Sequence, residues 1–394
     1  MEQTMNGENA ELLKKLPSLL LPWYDKNKRD LPWRENTDPY RVWISEIMLQ
    51  QTRVEAAKEH YIRFLRELPD AEALARCPED KLFKLWEGLG YYSRARNLQK
   101  AAKIVAEQGF PQTAENLKKL PGVGEYTAGA IASIAFGQPS PAVDGNVIRV
   151  LSRLLGDGRP AETLKTEFFK LLAPAYPAER CGDFTQSLME LGATVCLPSS
   201  PLCLACPLLS LCKTKSDALP ARREKPQRRR QDITLLLFRT GEKIAVCRRK
   251  AGVLRGMYGF FTIAAPLTAP QADAFLRCTG MKNFAVRAGG SHKHIFSHIE
   301  WDMTAYIVDL QQEPVPPVNA EQGETAQNRA ETEIACAAET ELTGAAKSES
   351  AAQAPLIPAG TEISDFAGLQ YFTKEEIDEK ISLPSAFRWC LKIL

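Results

Sequence analysis

The chain has 394 residues, more than one hydrophobic core comfortably serves, so two domains are expected. Lys and Arg total 50 against 48 Asp and Glu, a near balance that gives no global electrostatic case for nucleic acid; any such case must come from local distribution. The N-terminus, Met1 to Ala10, is polar without an apolar h-region, and the run Leu19 to Trp23, broken by Pro22, is too short to span a bilayer, so a soluble, cytoplasmic protein is expected.

From about Glu11 to Leu211 apolar residues return at intervals of three and four, which predicts helices joined at Gly and Pro, with strand signals nearly absent. The segment Trp43 to Thr52 (WISEIMLQQT) sets Glu46 inside an apolar run. Either Glu46 is buried there, with its pKa raised towards the range useful to a general acid, or it faces solvent between apolar neighbours. Gln50 follows one turn later on the same side. After a short helical stretch at Ala114 to Lys119, the sequence Leu120 to Tyr126 (LPGVGEY) places Gly122 and Gly124 one residue apart before a small-residue helix, Thr127 to Ala135. That order fits a helix-hairpin-helix whose free amides meet a phosphate oxygen, and it also fits a plain helix-to-helix turn. About twenty residues on, Val143 to Val147 (VDGNV) opens a helix whose apolar face is Val147, Leu151, Leu154 and Leu155. Asp144 at its mouth is an ordinary N-cap, or a carboxylate kept ionised by the helix N-terminus and able to stabilise a developing cation. Two carboxylates in contrasting environments, one raised and one ionised, are the pair that glycosidic cleavage through an oxocarbenium-like transition state requires.

Cys196, Cys203, Cys206 and Cys212 are separated by six, two and five residues. Four thiolates that close together, with no secretory signature, predict a soft metal centre more naturally than a disulfide framework. Zinc is one candidate, but its ribbons usually carry two Cys-x-x-Cys pairs and this chain has a single one. Cys77, Cys181, Cys247, Cys278, Cys336 and Cys390 are scattered and read as ordinary thiols.

Residues 213–231 contain the basic run Ala221 to Arg230 and read as a linker, either a solvated tether or a tether that also touches phosphate. From Asp232 the pattern turns to β, with a hairpin from Ile233 to Phe238 and Lys243 to Arg248 around Thr240 and Gly241. Residues 311–360, rich in Glu, Ala, Gln, Thr and Pro, read as a disordered insert. Order is expected to resume at Asp365, with a strand at Leu369 to Phe372 and helix from Lys374 to Leu394, interrupted by Pro384. Three of the four histidines, His292, His294 and His298, cluster around Phe296 and Ser297; a metal site and an ordinary strand are both open readings.

Taken together, Leu31 to Arg34 (LPWR), WISEIMLQQT, Gly88 to Asn97 (GLGYYSRARN), LPGVGEY, VDGNV and the cysteine loop resemble the MutY-type adenine DNA glycosylases of the helix-hairpin-helix, endonuclease III superfamily. The resemblance spans most of residues 30 to 212. It implies a mainly α glycosylase domain at 1–212 with a 4Fe-4S cluster on the loop 196–212, a linker at 213–231, and an α+β Nudix-like domain at 232–394. It further implies excision of adenine mispaired with 8-oxoguanine or guanine from double-stranded DNA by a base-flipping monomer of base excision repair. By motif position Glu46 would protonate the adenine, Asp144 would stabilise or trap the sugar cation, and Tyr126 and Asn146 would assist. Tyr91 matches the wedge that enters the base stack, with Arg34, Gln51 and Thr52 near the extruded nucleotide and Gly122 and Gly124 on the backbone. Phe296, Ser297 and His298 match the loop that reads the oxidised guanine. Cys196, Cys203, Cys206 and Cys212 would hold the cluster. Tyr126 stands where the strand-cleaving branch carries the Schiff-base lysine, which argues against a lyase step. No Nudix box occurs between 232 and 394, which argues against a pyrophosphohydrolase. The chain departs from its relatives in the cysteine loop, which lacks Lys or Arg between Cys196 and Cys203, and in the long insert. The competing readings are a glycosylase with lyase activity, disfavoured by Tyr126, and a catalytically silent damage-binding protein, disfavoured by the presence of both Glu46 and Asp144.

Overall fold

The computed structural model describes residues 2–220, 227–312, 357, 361–364 and 366–394, with side chains from residue 7 onward. Two compact units divide it, Met1–Lys225 and Pro226–Leu394. Apart from residues 311, 312 and 357, the expected insert lies outside the described residues, as do residues 221–226 of the expected linker.

The first unit is helical, with α1 (Glu2–Leu13), α2 (Leu16–Asn27), α3 (Pro39–Leu49), α4 (Val54–Glu67), α5 (Ala71–Arg76), α6 (Glu79–Trp86), α7 (Ser93–Gln108), α8 (Ala114–Leu117), α9 (Glu125–Phe136), α10 (Gly145–Leu155), α11 (Ala161–Leu172) and α12 (Cys181–Thr194). Helix begins at Glu2, earlier than the apolar periodicity indicates, because the first turns of α1 are polar. Helices α1, α2, α10, α11 and α12 close around one core that includes Leu16, Leu20, Leu151, Leu154, Phe184 and Leu188. Helix α3 packs against α4 and α9, and α9 also packs against α12, so α9 joins the two groups of helices. Asp38 caps α3 by accepting from the Arg41 N–H at 2.9 Å, with Pro39 supplying a first residue preset for helix. The helix stops at Leu49, one residue short of the reading above: Gln50 has φ −59 and ψ 110, and Gln51 takes the left-handed φ of 58.

The second unit is built on β1 (Arg229–Thr240), β2 (Lys243–Arg248), β3 (Tyr258–Gly259), β4 (Phe261–Ile263), β5 (Phe284–Ile295), β6 (Ile299–Leu310) and β7 (Gln370–Phe372), with α13 (Ala269–Cys278) and three short C-terminal helices, α14 (Lys374–Lys380), α15 (Ser385–Arg388) and α16 (Cys390–Ile393). The strand path is β3-β2-β1-β6-β5, with β4 added on β1 and β7 on β2; β1 and β6 run parallel and the other pairs antiparallel. Alternation along β1 gives each face its own core. Ile233, Leu235 and Leu237 pack with Ile377, Leu383 and Phe387 of the C-terminal segment, whereas Leu236 and Phe238 pack with Phe275 and Leu276 of α13. Strand β1 starts at Arg229, inside the expected linker, because the Arg229 N–H donates to the His298 carbonyl at 3.2 Å and the parallel ladder with β6 begins there. Pro384 caps α15 and so divides the C-terminal helical segment, as expected.

Candidate active site

Glu46 lies on α3 and is 6% exposed, so the solvent-facing reading is wrong. Burial pushes its carboxyl up to about 7, and the charge of Asp144 adds to the rise; the Tyr126 hydroxyl, which donates to Glu46 Oε2 at 2.7 Å, and the Arg34 charge oppose it. Tyr126 sits in the first turn of α9, and its hydroxyl is also 3.8 Å from Met189 Sδ of α12. Its own pKa is raised by burial and by the neighbouring Glu46 and Asp144. Two glycines shape this junction. A Cβ on Gly129 would fall 1.9 Å from the Pro141 carbonyl, so only glycine lets the segment leading to Asp144 lie against α9. Gly122 turns the hairpin with φ +78, and a Cβ there would meet Asn97 at 2.8 Å. Gly124 caps α9 without any side-chain hydrogen bond, leaving first-turn amides of the helix available.

Asp144 caps α10: Oδ1 accepts from the Val147 N–H at 2.7 Å and Oδ2 from Asn146 Nδ2 at 2.8 Å. The cap reading holds, and the Asp144 charge lies within electrostatic reach of Glu46. The expectation that the helix N-terminus keeps this carboxyl low needs correction. Burial raises its pKa, and the hydrogen bonds from Val147 and Asn146 only oppose that rise.

Further side chains fall into groups the sequence did not announce. Arg34 donates to Glu190 Oε2 at 2.8 Å, to Gln186 Oε1 at 3.0 Å and to the Arg29 carbonyl at 3.0 Å. Glu190 on α12 is 1% exposed, and although burial opposes it, hydrogen bonds from Arg29 and Arg34 bring its carboxyl down to about 2. Gln50 Nε2 reaches Thr127 Oγ1 at 3.2 Å, tying the end of α3 to α9, while Gln51 is exposed and Thr52 half-buried. Tyr91 is 49% exposed in a left-handed conformation, φ 48, a strained posture for an aromatic and one that only a firm surrounding sustains.

Helix α10 runs from this site to the cysteine loop. Arg149 donates to Asn146 Oδ1, to the Gly192 carbonyl and to the Cys196 carbonyl at 2.7 to 2.8 Å. One turn further, Arg153 donates to Cys196 Sγ at 3.4 Å and to the Leu197 and Pro198 carbonyls. All four cysteines line a single cavity of about 30 Å³, whose other walls include Val150, Leu154, Leu191, Val195 and Leu208. Among the described residues no three His, Cys, Asp or Glu side chains are gathered so as to hold one metal ion.

In the second unit, Phe296 to His298 form the β5–β6 turn, closed by the Phe296 N–H on the Ile299 carbonyl at 2.8 Å. Phe296 packs edge-on against the buried Trp301, leaving Ser297 and His298 exposed at the tip, 3.3 Å apart. The clustered histidines form no metal site among the described residues: His292 stacks on Trp389 and His294 meets Phe296.

Residues 44–174 match the family model for the HhH-GPD superfamily base excision DNA repair protein, a span that contains Glu46, Tyr126, Asp144 and Asn146. The adenine DNA glycosylase of Mus musculus is 37% identical over 369 residues, covering 75% of this chain and 71% of that protein. The chain belongs to the adenine DNA glycosylase family. The human member is 49% identical over 214 residues, half of this chain and 38% of its own length. A solved thermostable thymine-DNA glycosylase superposes on 53% of the chain and 97% of its own, with 29% identity and a TM-score of 0.48. Membership makes the chain a DNA glycosylase enzyme, and α8 and α9 both lie within the span matched by the HhH-GPD model. Among the described residues no helix is long and apolar enough to cross a membrane.

Proposed function

We propose that the chain removes adenine mispaired with 8-oxoguanine or guanine from double-stranded DNA, as a monomeric, monofunctional glycosylase that flips the adenine out of the stack. The observation that carries this reading is the pairing of a buried Glu46, held near neutrality and bonded to Tyr126, with a capped Asp144 close enough to raise its pKa. With a carboxyl at about 7, a large share of Glu46 is protonated at neutral pH, and it delivers that proton to the adenine ring as the bond from adenine to the sugar breaks. The electron pair leaves with the base, and the sugar becomes cationic. Asp144, oriented by Val147 and Asn146, faces that charge until water adds to the sugar, giving its proton to a carboxylate of the site such as the now ionised Glu46, and leaves an abasic site. Position 126 carries a phenol in place of an amine, so no Schiff base forms there.

The exposed Tyr91 fits a wedge that fills the space left by the flipped base, and Gly122 and Gly124 fit a backbone grip on phosphate. Gln51 and Thr52 border the extruded nucleotide, and Arg34 acts beside it by anchoring Glu190. In the second unit, whose mixed sheet flanked by helices is compatible with a Nudix-like domain, Ser297 and His298 read the opposing 8-oxoguanine from a turn anchored by Phe296. Cys196, Cys203, Cys206 and Cys212 fit a 4Fe-4S cluster: all four thiols line one cavity, walled otherwise mostly by apolar side chains, which suits a four-thiolate iron–sulfur centre. When bound, the cluster supplies four iron–thiolate bonds that cross-link the loop.

The test is a duplex with one A:8-oxoguanine pair, incubated with the protein and resolved on a gel with and without alkali. Strand scission only after alkali is expected. Scission without alkali, or no abasic site at all, overturns the proposal.

A further inference from the structure

Two left-handed turns border the candidate site. One follows α3, where Gln51 has φ 58; the other precedes α7, where Gly90 and Tyr91 have φ 68 and 48. The guanidinium of Arg94 reaches both. Nη1 donates to the carbonyls of Ile47 at 2.7 Å, Met48 at 3.1 Å and Gln50 at 2.7 Å, which are at the C-terminus of α3. Nη2 donates to the carbonyls of Leu89 at 2.9 Å and Gly90 at 3.1 Å, with Thr52 Oγ1 at 3.5 Å. The same guanidinium lies 5.4 Å from the Trp86 ring centre and 5.8 Å from that of Tyr91, and Trp86 Nε1 adds a donor to the Gly90 carbonyl at 3.1 Å. Burial brings the arginine down to about 10, so the charge is held away from water by main-chain oxygens and aromatic faces. Among the described residues no carboxylate pairs with it; its two terminal nitrogens are spent chiefly on the protein's own backbone, while Nε is buried without a hydrogen-bond partner.

A helix C-terminus leaves its last carbonyls unpaired at the negative end of the dipole, which suits a cation. Left-handed non-glycine residues persist only where the surroundings over-determine them. One group meets both needs here. We infer that Arg94 is a positioning residue that locks the Tyr91 turn to the end of α3, so that the wedge and the Gln50–Thr52 segment behave as one rigid body. Lysine cannot replace it, because a single ammonium lacks the planar fork that spans two sets of carbonyls. The inference rests on the reading of Tyr91 as a wedge, and the experiment separates the two.

In the full chain, Arg94→Lys is compared with wild type by amide hydrogen exchange, without DNA. Exchange in segments 47–52 and 88–92 is expected to rise together by about tenfold or more, with the rest of the first unit within about threefold. A rise in one segment alone, in neither, or throughout the unit overturns the lock. The functional readout is a duplex carrying 2-aminopurine in place of the target adenine, whose fluorescence reports unstacking. Arg94→Lys should lower extrusion about tenfold while affinity for an undamaged duplex stays within about threefold. In a Tyr91→Ala background the same substitution should cost less than about twofold, because its effect passes through the wedge. An equal loss in both backgrounds, or unchanged extrusion in Arg94→Lys, overturns the positioning role. If Tyr91→Ala alone extrudes like wild type, the wedge reading fails, and the exchange measurement decides the lock by itself.

Discussion

Replacing Tyr126 with Phe tests the acid assignment more sharply than removing Glu46, because it changes the acidity of Glu46 and leaves its carboxyl in place. The Tyr126 hydroxyl donates to Glu46 Oε2 at 2.7 Å, and that bond favours the carboxylate, so it holds the Glu46 pKa below the level that burial alone would set. A hydrogen bond to a charged group contributes about 1.5 to 3 kcal/mol, and one pH unit corresponds to about 1.4 kcal/mol, so its loss should raise the Glu46 pKa by about one to two units. The sign follows from the role: an acid is active when protonated, so single-turnover adenine release should fall as pH rises through about 7 in the wild type. In Tyr126→Phe the same falling limb should move to higher pH by about one to two units. The assay is single-turnover excision at saturating enzyme across the pH range, with equilibrium binding measured at each pH. A limb that stays in place, or moves to lower pH, would refute the reasoning, since it would mean that the phenol bonds to the neutral acid or that another group titrates.

Asp144→Asn keeps an oxygen for the Val147 N–H and so should melt within about 1 kcal/mol of wild type, yet lose at least about 100-fold in excision while still binding the mispaired duplex; excision within about tenfold would leave Asp144 a cap alone. Protein prepared without oxygen should contain about four irons per chain and absorb at about 400 nm, and Cys203→Ser should lower the stability of the first unit; stoichiometric zinc without iron would overturn the ligand assignment. Glu190 has a folded pKa of about 2, below its unfolded value, so its contribution, on the order of 2 kcal/mol after screening of the partly exposed Arg29, is present above the unfolded carboxylate pKa and lost as pH falls towards 2. Glu190→Gln should therefore flatten the acid limb of a stability-against-pH curve, and an unchanged limb would remove the ion pair from the account. Ser297→Ala should cost about 1 to 3 kcal/mol of preference for A:8-oxoguanine over A:G without slowing excision, and an unchanged preference would sink the reading of the turn.

What was legible in the sequence was what depends on local chemistry. An acid in an apolar run must be buried or expelled, and Glu46 is buried; an Asp before a Gly-initiated apolar helix caps it, as Asp144 does. The hairpin glycines were legible because backbone turning has few residue solutions. Illegible were the partners supplied by distant segments. Glu190 sits in a helical pattern with no local sign that Arg29 and Arg34, some 160 residues away, neutralise it, nor does the LPWR motif show that the Arg34 guanidinium is spent on Glu190, Gln186 and the Arg29 carbonyl. The Asp144 environment failed for the same reason: the helix dipole is local and visible, whereas the burial that outweighs it is created by tertiary packing. Arg94 shows the limit most plainly. In the sequence it is one of two arginines in GLGYYSRARN and indistinguishable from a phosphate contact, yet Arg96 pairs with Glu79 at 2.8 Å on the surface while Arg94 turns inward to five carbonyls. Which of two neighbouring cations turns inward is decided by where the end of α3 lies, and that position is a property of the fold as a whole.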